Sequence, residues 1–78
     1  MIVYLVIRYA YSEDDYERES TGVDGAFSSY EKALNYIHGI RHPSGTQVEP
    51  GRAVRYRPGE YDDQDNFVVI YSIEQHEV

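Results

Sequence analysis

Gly25-Ala26-Phe27-Ser28-Ser29-Tyr30-Glu31-Lys32-Ala33-Leu34-Asn35-Tyr36-Ile37-His38-Gly39-Ile40 carries the clearest local signal in the chain. Ser28 and Glu31 have the S-x-x-E spacing of a capping box, in which the serine side chain accepts from an orphan amide of the first turn. Tyr30, Ala33, Leu34, Ile37 and Ile40 then recur at i, i+3, i+4, i+7 and i+10, which is one apolar stripe of a helix. Gly39 and Pro43 bracket its end. The spacing predicts a helix over 29–40, about three turns long.

Upstream the period changes. Residues 2–11 place Val3, Leu5, Ile7, Tyr9 and Tyr11 on one side, and Ile2, Tyr4 and Val6 on the other until Arg8. A strand apolar on both sides is expected in the middle of its sheet. Ser12-Glu13-Asp14-Asp15 is a turn of residues that hydrogen-bond their own backbone. Residues 16–25 are polar and read as a returning edge strand, whose charges discourage sheet-to-sheet pairing. Downstream, 41–52 holds Pro43, Gly45, Pro50 and Gly51 and reads as a loop. Residues 53–57 form a short strand, and Pro58-Gly59 opens a second acidic turn, Glu60-Tyr61-Asp62-Asp63-Gln64-Asp65. The last strand is expected over 67–74, with Phe67, Val69, Tyr71 and Ile73 on one side and Val68 and Ile70 on the other, so it too should be central. A polar tail, 75–78, is expected to fray. The fold class is α+β: a ββαββ order, a mostly antiparallel four-stranded sheet, and one helix on one side. In a plain meander of this order the two acidic turns fall at opposite ends. A continuous acidic surface would then run along the second strand through Glu17 and Glu19.

With 78 residues the chain makes one domain, 1–78, with a thin core and few apolar side chains to spare for a deep pocket. The absence of cysteine excludes disulfides and thiolate chemistry and fits a reducing cytoplasm. Residues 1–7 lack a basic start and a cleavage-type site, so they read as a buried strand rather than a leader, and the run is too short to cross a bilayer. Fourteen acids against seven bases give a formal charge of −7. That balance argues against direct binding to nucleic acid or an anionic membrane, both of which attract positive patches. It permits a protein partner with a basic surface. Nine tyrosines with no tryptophan suit both a thin core with wet edges and a contact surface.

The stretch from Gly25 to Ala33 resembles a helix entry of the form G-V-F-S-S-x-E-K-A found in a family of short, functionally uncharacterised bacterial and phage proteins. In that family it likewise follows an acidic β-hairpin that begins with a "VY"-type strand. The likeness covers residues 2–40 and 66–74, and the middle, 41–65, departs from it. The composition is also similar to that of small phage inhibitors of host defence, the anti-CRISPR and anti-restriction type. The resemblance implies a fold and a host cytoplasm for a phage-encoded member, and it brings no catalytic residue to any position here.

The residues themselves assemble no catalytic constellation. His38 and His42 have the spacing of two ligands on one helix side, but Gly39 and Pro43 end the helix between them. No phosphate loop is present, and no serine sits on a nucleophile turn. No enzyme activity, metal or cofactor is expected. Acids interleaved with tyrosine are the leading feature, since a row of carboxylates can occupy a basic groove as phosphates do. The candidate partner-binding residues are Glu13, Asp14, Asp15, Glu17 and Glu19, then Asp62, Asp63 and Asp65, with Tyr16 and Tyr61 as aromatic anchors. A second candidate is an anion or nucleotide site on Arg55, Tyr56 and Arg57, in which two arginines alternate along a strand and flank a ring. A third is self-assembly through tyrosine-rich sheet edges, as a homodimer or larger.

Overall fold

In the computed structural model, which describes all 78 residues, the chain runs β1 (Ile2–Ser12), β2 (Glu19–Phe27), α1 (Tyr30–His38), β3 (Val54–Tyr56) and β4 (Phe67–Glu77). The strands form one sheet in the order β2-β1-β4-β3, with every neighbouring pair antiparallel. The α+β class and ββαββ order are therefore as the sequence predicts. The two strands that are apolar on both sides, β1 and β4, are indeed the central pair.

That central pairing overturns the plain meander. β1 and β4 lie antiparallel over their whole length, from Ile2↔Glu77 to Ser12↔Phe67. The end of β1 thus meets the start of β4, and the two acidic turns emerge side by side at one end of the sheet. The same pairing corrects the expected fraying of 75–78. Strand β4 continues to Glu77, and the Val78 amide donates to the Met1 carbonyl at 2.7 Å.

Alternation along the strands sorts the apolar residues onto two sides. Val6, Ala10, Val54, Tyr56, Phe67, Val69 and Tyr71 share the helix side with Ala33 and Ile37 of α1, and together with Val48 they form the core. Burying each valine, isoleucine or phenylalanine among them fully contributes roughly 1.5–3 kcal/mol. The other side carries Val3, Leu5, Ile7, Tyr9 and Tyr11 beside Val68 and Ile70. The five β1 side chains there are only half-buried, because α1 lies across the sheet from them.

Local boundaries differ from the sequence reading in three places. Strand β2 starts at Glu19 rather than at 16, because Asp15–Arg18 closes a turn: the Arg18 amide donates to the Asp15 carbonyl at 3.0 Å. The helix cap is Ser29, not Ser28; Ser29 is extended and its hydroxyl accepts from the Lys32 amide. The strand runs on to Phe27, so the chain needs one more residue before it can turn into the helix. Gly39 ends α1 early, its amide shared between the carbonyls of Asn35 and Tyr36. In β2, a bulge at Asp24 shifts the register between Val6↔Gly25 and Ile7↔Val23. A Cβ at Gly25 would sit 2.9 Å from the Phe27 ring, so any larger residue there would have to displace that ring.

Candidate functional site

The acidic end is built from the two connections β1–β2 and β3–β4. Its centre is Ser12, the one buried polar residue of the chain. The Ser12 hydroxyl accepts from the amides of Asp14 and Asp15 at 3.1 and 3.0 Å and donates to Asp65 at 2.9 Å. A serine at the last position of a central strand thus organises the first turn and ties it to the second. The link is doubled by backbone, since the Glu13 amide donates to the Asn66 carbonyl at 2.8 Å, and the Asn66 amide donates to the Asp14 carboxylate at 2.6 Å.

Arg18 closes the arrangement. Its two Nη atoms each reach a carboxylate of the second turn at 2.5 Å, Asp62 and Asp65, while its guanidinium lies 5.3 Å over the Phe67 ring. The backbone amide of Gln64 and then the Arg18 guanidinium hold the Asp62 carboxyl below its ordinary range, and Asp62 in turn raises Arg18. The second turn itself folds over the sheet. Tyr61 stacks on Phe67 at 5.2 Å, meets Tyr56 edge-on at 5.5 Å, and its hydroxyl accepts from Arg8 at 3.2 Å. Arg8 also pairs with Asp24 at 3.3 Å, so the bulge of β2 and the acidic loop hold one guanidinium between them.

The structure therefore brings together what the meander would have separated. Nine of the fourteen acids lie in 13–19 and 57–66, with Arg18 and Arg57 within the same segments and Arg55 beside them. That end carries a formal −6 of the total −7. The expected acidic row along β2 does not exist. Glu17 sits in the turn, and Glu19 accepts from the Tyr9 hydroxyl at 2.8 Å, a contact that raises the Tyr9 pKa.

The predicted contact residues divide by what they already hold. Asp14, Asp15, Asp62 and Asp65 bind amides or Arg18 within the end, and Glu13 pairs with Arg55 at 3.2 Å. Tyr61 is packed against the core, so it supports the acidic end rather than anchoring a partner. Tyr16, Glu17 and Asp63 make no side-chain hydrogen bond or ion pair. Tyr16 is 95% exposed, a whole aromatic ring standing between two carboxylates on a braced turn.

Arg55 and Arg57 border a polar cavity of about 520 Å³ with His42, Glu60 and Glu13. Tyr56 does not stand between them as a platform. It faces the core, where burial raises its pKa, and its ring contacts His42 at 4.6 Å. The two glutamates offset the two arginines in the same cavity. His42 accepts from the Ser44 amide through Nδ1, which leaves Nε2 to donate to the Arg55 carbonyl at 2.6 Å. His38 turns away and meets Glu49 at 2.8 Å, so the two histidines do not converge. No three His, Asp or Glu side chains are placed to hold a metal ion. No helix is long and apolar enough to cross a membrane.

The sequence places Ser12 in a turn that bonds its own backbone, as found, but it shows neither the reach of Ser12 to Asp65 nor the role of Arg18. Arg18 had a signal, being the single base in a run of five acids, but its targets lie 44 and 47 residues away. Comparison with protein-family models, curated proteins and solved structures gives no match.

Proposed function

We propose that this chain is a non-enzymatic protein-interaction module that docks its acidic end, tipped by Tyr16, onto a cationic protein surface that otherwise holds nucleic acid. The concentration of a formal −6 in two cross-linked turns is the observation that carries this reading. Exposed carboxylates on fixed backbone speed encounter with a basic groove and select for it. An exposed tyrosine carried on a braced turn at the centre of the charge supplies the desolvated contact that charge alone lacks. The sharper form is an inhibitor of a nucleic-acid-handling host complex, phage-encoded, as the composition suggests.

The test is capture of a partner from bacterial lysate with nuclease present, using the native chain, Tyr16→Ala, and a triple Glu13→Lys, Glu17→Lys, Asp63→Lys variant. The expected result is a stoichiometric nucleic-acid-binding protein on the native bait, released by added DNA and lost with both variants. Equal capture by all three baits overturns the reading, as does recovery of the bait alone.

The cavity beside Arg57 supports a second reading, a small anionic ligand, because the Arg57 guanidinium has no partner within the chain. A nucleotide panel that raises the Tm of the native chain but not of Arg57→Ala would favour it.

A further inference from the structure

Beyond β3, strand β4 leaves part of its backbone edge unpaired, as β2 does along its outer side. Strand β3 pairs only with Phe67, Val68 and Val69 of β4, and the Gly51 amide then takes the Tyr71 carbonyl at 2.7 Å. In an antiparallel strand the amide and carbonyl of one residue point to the same side, and successive residues alternate. With the Tyr71 carbonyl pointing away from β1, the outward groups beyond it belong to Ile73, Gln75 and Glu77. No backbone or side-chain partner meets them. The segment is nevertheless held fully extended by its pairing with β1, from Ile7↔Ser72 to Ile2↔Glu77.

We infer that a second copy of this chain adds to this edge, β4 against β4, about a two-fold axis at Gln75. One symmetric register sets complementary side chains against each other. Antiparallel pairing about Gln75 sets Glu74 opposite His76 of the second copy, and His76 opposite its Glu74, on the same side of the sheet. Shifting the axis to position 74 sets glutamate against glutamate, and shifting it to 76 sets histidine against histidine. A glutamate opposite an imidazole meets a ring N–H donor, or an opposite charge when the ring is protonated, whereas glutamate opposite glutamate repels. Within one copy, His76 and Glu74 already approach to 3.5 Å along the same side, so the two side chains point where the pairing needs them.

The net charge does not oppose the pairing. The half of the molecule that carries this edge is close to neutral, because the −6 lies at the far end of β4. At ~3.3 Å per residue, the acidic ends of the two copies stand roughly 60 Å apart, several times the Debye length of ~8–10 Å. The result is an eight-stranded sheet with an acidic end at each extremity, which would present the proposed contact surface twice.

Light scattering and sedimentation across a concentration series test the inference on the native chain, His76→Glu, the exchange Glu74→His with His76→Glu, and Gln75→Pro. The expected native result is a concentration-dependent dimer. His76→Glu should raise its Kd at least ~10-fold, since two repelling glutamate–glutamate contacts replace two glutamate–imidazole ones. The exchange should restore the native Kd, because it keeps each glutamate opposite a histidine. Proline at 75 removes only an outward amide, so it should give a monomer with native circular dichroism. A native chain that stays monomeric throughout overturns the inference. So does a dimer indifferent to His76→Glu, or an exchange that fails to restore it.

Discussion

The helix side of the sheet is covered twice, by two different kinds of chemistry. At one end α1 presses Ala33 and Ile37 onto β1, and Val48 of the following loop joins them, all fully buried. At the other end the acidic loop lays Tyr61 over Phe67 and is fastened by Arg18 to Asp62 and Asp65. The first cover is held by area removed from water, which depends little on salt or acid. The second is held by ion pairs with side chains up to about a third exposed, which salt screens and acid discharges. One domain thus has a half that sets its stability and a half whose order follows its charge.

The largest effect should come from the apolar cover. Ile37→Ala removes a fully buried side chain and should cost about 2–5 kcal/mol. A domain of this size has only about 4–12 kcal/mol to lose. Urea unfolding measures it, and a loss under about 1 kcal/mol would show that α1 is not the dominant cover. Arg18→Ala should cost less but in a diagnostic way: a lower Tm whose deficit shrinks as salt is added, with faster amide exchange confined to 13–18 and 57–66. Faster exchange across α1 as well would show that the two covers act as one.

pH should separate the ends further. The folded Asp62 carboxyl is held below its unfolded value, so its contribution is complete above about pH 4 and lost as pH falls through the folded value. Burial pushes the Tyr71 hydroxyl up to about 12 from 10.0. Its contribution is complete below pH 10 and lost as pH rises toward 12. Acid should therefore release the acidic loop first, and strong base should loosen the sheet. Fluorescence and amide-resolved NMR through both ranges check the order. The smallest change in stability belongs to Tyr16→Ala, within about 0.5 kcal/mol because the ring touches nothing. A larger loss by calorimetry would mean the ring is structural, and the proposed docking role would lose its anchor.

The elements were legible wherever one period dominates. Val3 to Tyr11 and Phe67 to Ile73 announce strands that are apolar on both sides, and the stripe from Tyr30 to Ile40 announces the helix. What the sequence does not display is which central strand lies beside which. The β1–β4 pairing joins residues as far apart as Ile2 and Glu77, and no local pattern encodes it. Two misses at the site follow from that one pairing, the co-location of the acidic turns and the reach of Arg18, while the packing of Tyr61 on Tyr56 and Phe67 arises within the β3–β4 connection. The Ser28 to Ser29 shift of the cap is a smaller kind of miss: only Ser28 has the S-x-x-E spacing, but β2 runs on to Phe27, and Ser29 caps the helix without an acid at the third position.

The pairing of β1 with β4 also bears on how the molecule is made. A ribosome that has delivered β1, β2 and α1 has produced a hairpin with its helix-free side and both strand edges still exposed. The neighbour that completes β1, and that carries Phe67, Val69 and Tyr71 into the core, is still inside the exit tunnel. Folding must therefore wait for the final strand, and closing contacts over most of the chain is slow, on the order of milliseconds to seconds for sheets of such non-local topology. During that wait the run Ile2–Ile7 is an exposed apolar strand.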